Sequence, residues 1–404
     1  MSASTETLVK LRSLTAQGKS KANVTVPNQP RKYKEPHSYN IRVNKINALS
    51  NCQFGGNYSF QIPAYDTVVG EAWLSMDIPA LAGGTYKLYP MAELIDTYTL
   101  RSGQKVYEFC PRRDLPILLN RIKDQAMKTE VMKLFKDHSG AASANPGKML
   151  IPLVTPMSIW HTDKLCQPIR HNNRGGSFWD ASRLAGNMTV EIQFRQKADA
   201  VTDASQAFSS AADLGNLTLH WEEVVAGPAD LEAIRRACPR EICCEEYTRL
   251  DDQVVSAATV TTYKTASLIS RAGTTGFYFR ARAVGDDALN CMSGASHLKS
   301  LVVTCDGRDL YNTDSRSDDE RAYRKLLSGD PAFDIEPKYA HYSFSNNSQN
   351  YDAAAVGGLL KNGSCNELDL SIQAEAGCDR IDIIAVHLRN FRFQDRTIKV
   401  SNAY

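Results

Sequence analysis

The sequence lacks most of what would mark a membrane protein or a common enzyme. No apolar run approaches the roughly 18–20 residues that a transmembrane helix needs. The N-terminus has no continuous apolar segment, so a cleaved leader is not expected. No GxSxG, HExxH or dinucleotide fingerprint occurs. Gly18-Lys19-Ser20 resembles the end of a phosphate loop, but Ser13 stands where its first glycine belongs. Strong net charge is missing too. The 404 residues carry a formal +2, which excludes a global basic field for nucleic acid. No repeat of about 20–50 residues is visible, which disfavours propellers and solenoids. The ten cysteines show no paired CxxC spacing. Cys243-Cys244 is a vicinal pair, with Cys238 five residues before it. This pattern predicts reduced, buried thiols and neither a disulfide framework nor a zinc site. Sequons at Asn23, Asn57, Asn187, Asn216, Asn346 and Asn362 read as chance matches without a secretory signal.

What charge there is lies unevenly. Residues 1–45 hold nine basic residues against Glu6 and Glu35. Residues 1–44 therefore read as a basic arm, carrying Lys10, Arg12, Lys19, Lys21, Arg31, Lys32 and Lys34. Leu8, Leu11 and Leu14 suggest one or two amphipathic turns, and Pro27, Pro30 and Pro36 an extended stretch. Such an arm is either a solvated tail or a segment that orders against a partner, an anionic membrane or a genome.

Beyond the arm, the chain alternates apolar and polar residues in short runs. Residues 57–62, 70–78, 187–194, 216–225, 276–284, 301–305, 338–344, 368–372, 380–393 and 397–400 all read as strands. Ser102-Gly103 and Asp306-Gly307 supply tight-turn residues between strand-like runs. Helical spacing predicts an insertion over 113–138, with Pro116 near its start, and a short helix over 228–237 opened by Pro228. Pro152 and Pro156 place the run 148–160 at a sheet edge. Residues 199–215, rich in Ala, Ser and Asp, read as a linker between blocks 45–198 and 216–404. Many short strands in two successive blocks predict sandwiches or barrels.

Constellations that could carry chemistry are thin. Gly285-Asp286-Asp287 is an isolated acidic pair, more often a solvated turn than a two-metal site. His161 and Asp163 lack a nucleophile and an orienting group. His220, His341 and His387 lie singly in strands, as hydrogen-bonded structural histidines do. No catalytic residue, metal site or cofactor is predicted.

Residues 301–327 and those after them resemble the double jelly-roll major capsid proteins of nucleocytoplasmic large DNA viruses and related viruses. Asp306-Gly307-Arg308 and Tyr311 hold the places of that family's turn and aromatic loop. Tyr342-Ser343-Phe344, the glycine-containing loop 357–363 and Cys365-Asn366 match its later elements. Residues 217–237, with Glu232, Arg235 and Arg236, look like its second-barrel entry. The family's proline-rich aromatic strand is only partly echoed, in Ile151-Pro152-Leu153 and Trp160. The resemblance implies an all-β fold of two consecutive jelly-roll β-sandwiches with short helical insertions in loops. It also implies a homotrimer that tiles a virion shell with neighbouring capsomers and minor capsid or penton proteins. The loops 113–147, 264–296 and 345–364 would form outer towers, and the arm would face an internal membrane or the DNA genome. Trp179, Tyr311 and Phe333 become candidate trimer contacts, each with an ordinary core role as the alternative. Two other classes stay open. One is a carbohydrate-binding sandwich using Trp73, Trp160, Trp179 and Trp221. The other is a hydrolase on a β scaffold.

Overall fold

The computed structural model describes residues 39–49, 51–63, 67–87, 89–120, 133, 144–158, 178–202, 213–238, 240–249, 253–254, 259–264, 274–283, 298–312, 340–343, 368–374 and 378–402. The first half runs β1 (Tyr39–Asn47), β2 (Asn57–Ile62), β3 (Val68–Ile78), β4 (Ile95–Ser102), β5 (Gln104–Phe109), β6 (Gly147–Pro152), the two-residue β7 (Trp179–Asp180), β8 (Met188–Phe194) and β9 (Gly215–Ala226). The second runs β10 (Glu241–Arg249), the short β11 (Gln253–Val254), β12 (Thr261–Lys264), β13 (Thr274–Ala283), β14 (Leu298–Cys305), β15 (Arg308–Asn312), β16 (Ala340–Ser343), β17 (Leu368–Ala374), β18 (Cys378–Gln394) and β19 (Thr397–Asn402).

Each half forms two antiparallel sheets. The first pairs β1–β9–β3–β6, with β7 on β3, and β2–β8–β4–β5. The second pairs β10–β18–β13–β16, with β11 and β19 on β18, and β12–β17–β14–β15. Counting only the eight main strands of each half, both halves have one sheet in the order 1-8-3-6 and one in the order 2-7-4-5. That is the eight-stranded double Greek key of a jelly roll. The expected fold class is what the chain adopts.

The alternating runs form strands because one parity finds a core. β8 buries Met188, Val190, Ile192 and Phe194 and leaves the residues between them half-buried or exposed. β17 does the same with Leu368, Leu370, Ile372 and Ala374. Both expected turns occur. Gly103 has φ +75°, and Asp306 and Gly307 have φ +48° and +75°. Nothing lies within 4 Å of where a Cβ on Gly307 would sit, so Gly307→Ala meets only the backbone penalty. We expect it to cost about 1–2 kcal/mol, read as a lower urea midpoint at unchanged slope. The helix Pro228–Ala237 falls where its proline placed it.

The structure corrects three expectations. First, β9 belongs to the first sandwich, hydrogen-bonded between β1 and β3, and does not open the second. Residues 199–215 therefore lead from one sheet of the first sandwich to its other sheet and do not link domains. The connection between the sandwiches is the helix Pro228–Ala237 and the residues up to Arg240. Alternation reveals a strand but not its partner, which is why the sequence misplaced this boundary. Second, the basic arm does not extend to residue 44, because Tyr39–Asn47 is already strand. Third, the inserted helix starts at Pro111, so Pro116 lies in its second turn. Asp114 closes that start, its carboxylate accepting the Cys110 N–H at 2.8 Å. Residues 121–143 lie outside the described residues apart from Lys133, which is helical.

Candidate assembly surfaces

The site of interest is the seam where the sandwiches meet, together with the corresponding outward face of the first sandwich. The second sandwich's 1-8-3-6 sheet is apolar on both faces. Phe277, Phe279, Ile381, Ile383 and Ala385 point inward and pack with Leu301, Val303, Leu370 and Ile372. Tyr278, Ile384 and Val386 point outward and join the core of the first half instead. β18 is 17 residues long and outruns its own sandwich. Its far end, flanked by β10 and β19, presses Ile242, Phe391, Phe393 and Ile398 into that same first-half core. Phe391 meets Tyr107 edge-on at 6.1 Å, and Phe393 stacks on Trp179 at 6.0 Å. Each such buried side chain contributes roughly 1.5–3 kcal/mol by leaving water. The seam is therefore a continuation of the core, and the halves are not loosely tethered.

Polar groups fix the seam's alignment. Arg113 donates from Nη2 to the Tyr247 carbonyl at 3.1 Å and to Asp114 Oδ2 at 2.8 Å. Asp114 is fully buried, and burial raises its carboxyl above the ordinary value although the Arg113 charge pulls the other way. Tyr247 donates its hydroxyl to Glu245 at 3.0 Å. Arg183 donates from Nη2 to the carbonyls of Arg235 at 2.8 Å and Cys238 at 3.2 Å. It thereby ties the first sandwich to the connecting helix. Within the second sandwich, Arg249 pairs with buried Asp382 at 2.8 Å, and Arg389 with Glu246 at 3.0 Å.

The first sandwich's 1-8-3-6 sheet has an outward face too, and it is far less covered. Leu74, Met76, Leu219 and Trp221 point into the core. Trp73, Ser75 and His220 therefore point out. Trp73 and His220 stack at 5.5 Å with an interplanar angle of 5°, and His220 shares a 2.8 Å hydrogen bond with Ser75. Burial, then the charges of Lys148 and Lys45, push the His220 imidazole below its usual value. The edge strand β1 adds Tyr39, Ile41 and Val43 to this face, 46%, 39% and 51% exposed. At the other end of the face the connecting helix packs Leu231 and Ile234 over Val68 and Val224. Glu223 locks β1 in place. Arg42 donates to it at 2.7 Å and Thr67 at 2.9 Å, with Asn44 as a third donor. Burial raises this carboxyl, but the three donors outweigh it and leave it below the ordinary range.

The residues singled out in the sequence fall as follows. Trp179 is 3% exposed and stacked on Phe393, so it joins the two halves of one chain from the interior and is not available on the surface. Tyr311 lies on β15, paired with Val303. Phe333, Lys10, Arg12, Lys19, Lys21, Arg31, Lys32 and Lys34 lie outside the described residues, as do His161, Asp163 and the Gly285-Asp286-Asp287 turn. His387 is buried and hydrogen-bonded to Thr274 at 3.0 Å, a structural role. Trp221 is buried in the core, and Trp160 lies outside the described residues. Among the described tryptophans, Trp179 and Trp221 are buried, and the half-buried Trp73 has its ring stacked on His220. Among the described residues no group of three His, Cys, Asp or Glu side chains could hold a metal ion. No helix there is long and apolar enough to cross a membrane. Cys52, Cys110, Cys238, Cys244 and Cys378 are buried thiols outside any disulfide, as expected. Cys305 departs from that expectation and is disulfide-bonded. The seam residues Arg113 and Asp114 went unnoticed in the sequence, since an Arg-Arg-Asp run reads as surface.

No family model and no curated protein matches the sequence. Solved structures do. VP54 of PBCV-1, in a crystal structure fitted into a reconstruction of the virophage Sputnik, aligns over 92% of this chain and 99% of its own, at TM-score 0.62 and 13% identity. A quasi-atomic model of the PBCV-1 capsid aligns over the same shares at 0.64 and 12%. The Faustovirus major capsid protein aligns over 92% and 93% at 0.53 and 11%. The chain has the double jelly-roll fold. The likeness runs through both sandwiches, so neither half is an unrelated appendage. At these identities it is a likeness of fold and carries no residue-level correspondence. What this double jelly roll adds is its own chemistry. One outward sheet face is sealed by the partner sandwich, and its counterpart carries a part-covered aromatic pair beside an apolar edge strand.

Proposed function

We propose that this chain is a viral major capsid protein that trimerises into pseudo-hexagonal capsomers and tiles an icosahedral shell around a DNA genome. The observation that carries the reading is the repeated sandwich. Two domains of identical strand order, joined through an apolar seam, make one third of a six-part ring. The fold likeness to PBCV-1 and Faustovirus capsid proteins over more than nine-tenths of the chain supports it. In this role the chain contacts neighbouring capsomers and minor capsid or penton proteins. The basic arm reaches an internal membrane or the genome, and Tyr311 and Phe333 are trimer contacts.

Mass photometry of the purified protein tests the reading, with negative-stain images of the same sample. We expect particles of three chains with a hexagonal outline. A monodisperse monomer that never yields such outlines sinks the proposal.

A further inference from the structure

Strand β1 pairs with β9 alone, so among the described residues no strand takes its other side. One bond just beyond it fixes where its backbone groups point. The Ala48 N–H donates to the Leu217 carbonyl at 2.9 Å, continuing the register in which Asn47 faces Thr218. Hydrogen-bonded pairs alternate along an antiparallel ladder, so the even-numbered residues of β1 bond to β9. Ile41, Val43 and Lys45 therefore turn their N–H and C=O groups toward the open side. Arg42 and Asn44 hold the strand to Glu223 of β9, which makes it a fixed template.

Its side chains single out the same strand. Among the described residues eight large hydrophobic side chains are exposed, and six of them lie on or beside β1: Tyr39, Ile41, Val43, Ile46, Leu49 and Val225. The strand has no proline and its pairing with β9 has no bulge, two devices that blunt an edge. Lys45 is its one lysine, and Arg42 is drawn to Glu223. Such an edge is an association site unless something covers it. The chemistry selects the cover. Lipid would leave the open N–H and C=O groups without hydrogen bonds, at a cost of several kcal/mol each. Nucleic acid would leave the apolar side chains unmet. A second β1 from another copy would gather Arg42 and Lys45 against their own kind, since neither strand carries an acidic residue.

We propose that the open edge of β1 is a docking site for an extended segment of a different protein, which adds to the β1–β9–β3–β6 sheet as one more antiparallel strand. The backbone bonds at Ile41, Val43 and Lys45 supply the pairing, and alternate side chains supply the choice of partner. Side chains on one face of such a strand sit opposite Lys45, Val43 and Ile41 in turn. The partner segment therefore reads acidic, any, apolar, any, apolar. The site goes beyond the trimer proposed above and does not depend on it.

The test uses the full-length protein and a labelled, end-capped peptide of nine residues, read by fluorescence anisotropy. The peptide is threonine throughout except for glutamate, valine and isoleucine at its third, fifth and seventh positions. The wild type is expected to bind it saturably. Val43→Pro deletes an edge-facing N–H and spares the bonds to β9, and is expected to weaken binding at least tenfold. Lys45→Glu is expected to weaken it about threefold and to prefer a peptide with lysine in place of the glutamate. Should the proline disturb folding, the peptide carries the test. N-methylation of its valine, whose N–H faces β1, is expected to abolish binding, and N-methylation of the threonine before it, whose N–H points away, to leave binding intact. Absence of saturable binding, or binding indifferent to both the proline and the N-methyl group, overturns the proposal. So does a folded Val43→Pro protein whose particles hold fewer chains than the wild type by mass photometry, because a copy of this chain then occupies the edge. The trimer is judged separately, on the particle mass of the wild type.

Discussion

Phe391→Ala is expected to cost about 3–5 kcal/mol, the range for removing a large aromatic from a packed core. The residue is fully buried, and its ring meets Tyr107 across the seam. Its removal opens a void shared by both sandwiches, which neither can fill alone. Because the sandwiches share one core there, the loss should reach both. Urea unfolding at fixed protein concentration reads it as a lower midpoint by near-ultraviolet circular dichroism of the aromatic seam. A loss under about 1 kcal/mol would mean that the seam is a surface contact and not core.

Arg113→Met should cost a similar amount, about 3–5 kcal/mol, through charge. Asp114 has no exposed surface, and Arg113 supplies its compensating cation as well as a hydrogen bond to Tyr247. With methionine there, the carboxylate is buried without that cation, and burial raises its folded-state pKa further. A carboxyl whose folded pKa lies above its unfolded one lowers stability most at pH above the folded pKa. The penalty fades as pH falls through that value and the group becomes neutral. The gap between variant and wild type should therefore be widest at neutral pH and narrow on acidification. Urea unfolding at several pH values measures it. A gap that does not change with pH would trace the loss to packing and the Tyr247 hydrogen bond, and not to the carboxylate.

Much of this fold was legible along the chain. Runs such as 188–194 and 368–374 alternate because each has one wet and one dry face, and sequence records that directly. Gly103, Gly307 and Pro228 marked their turns and helix for stereochemical reasons that hold in any context. Partnership was not legible. Nothing in residues 216–225 says that they insert between strands that begin about 180 and 150 residues earlier. β1 resisted reading for a different cause, since it is exposed on nearly every residue and has no dry side to register. The seam hid because its members look ordinary locally. Trp179 reads from sequence only as a candidate trimer contact, and residues 384 and 386 fall in the strand-like run 380–393, whose sequence does not say what each face meets. Only the second sandwich's docking turns that side into interior.

One consequence follows from where β18 lies in the chain. The strand that seals the seam, starting at Cys378, is synthesised after every strand of the first sandwich. Until it leaves the ribosome, Tyr107 and Trp179 lack the rings of Phe391 and Phe393 that cover them in the folded chain. A product truncated before this strand would display a sticky, unfinished flank, a target for chaperones and proteases. Synthesis of β18 thus gates entry of the chain into any larger particle, and the timing of translation acts as an inspection step.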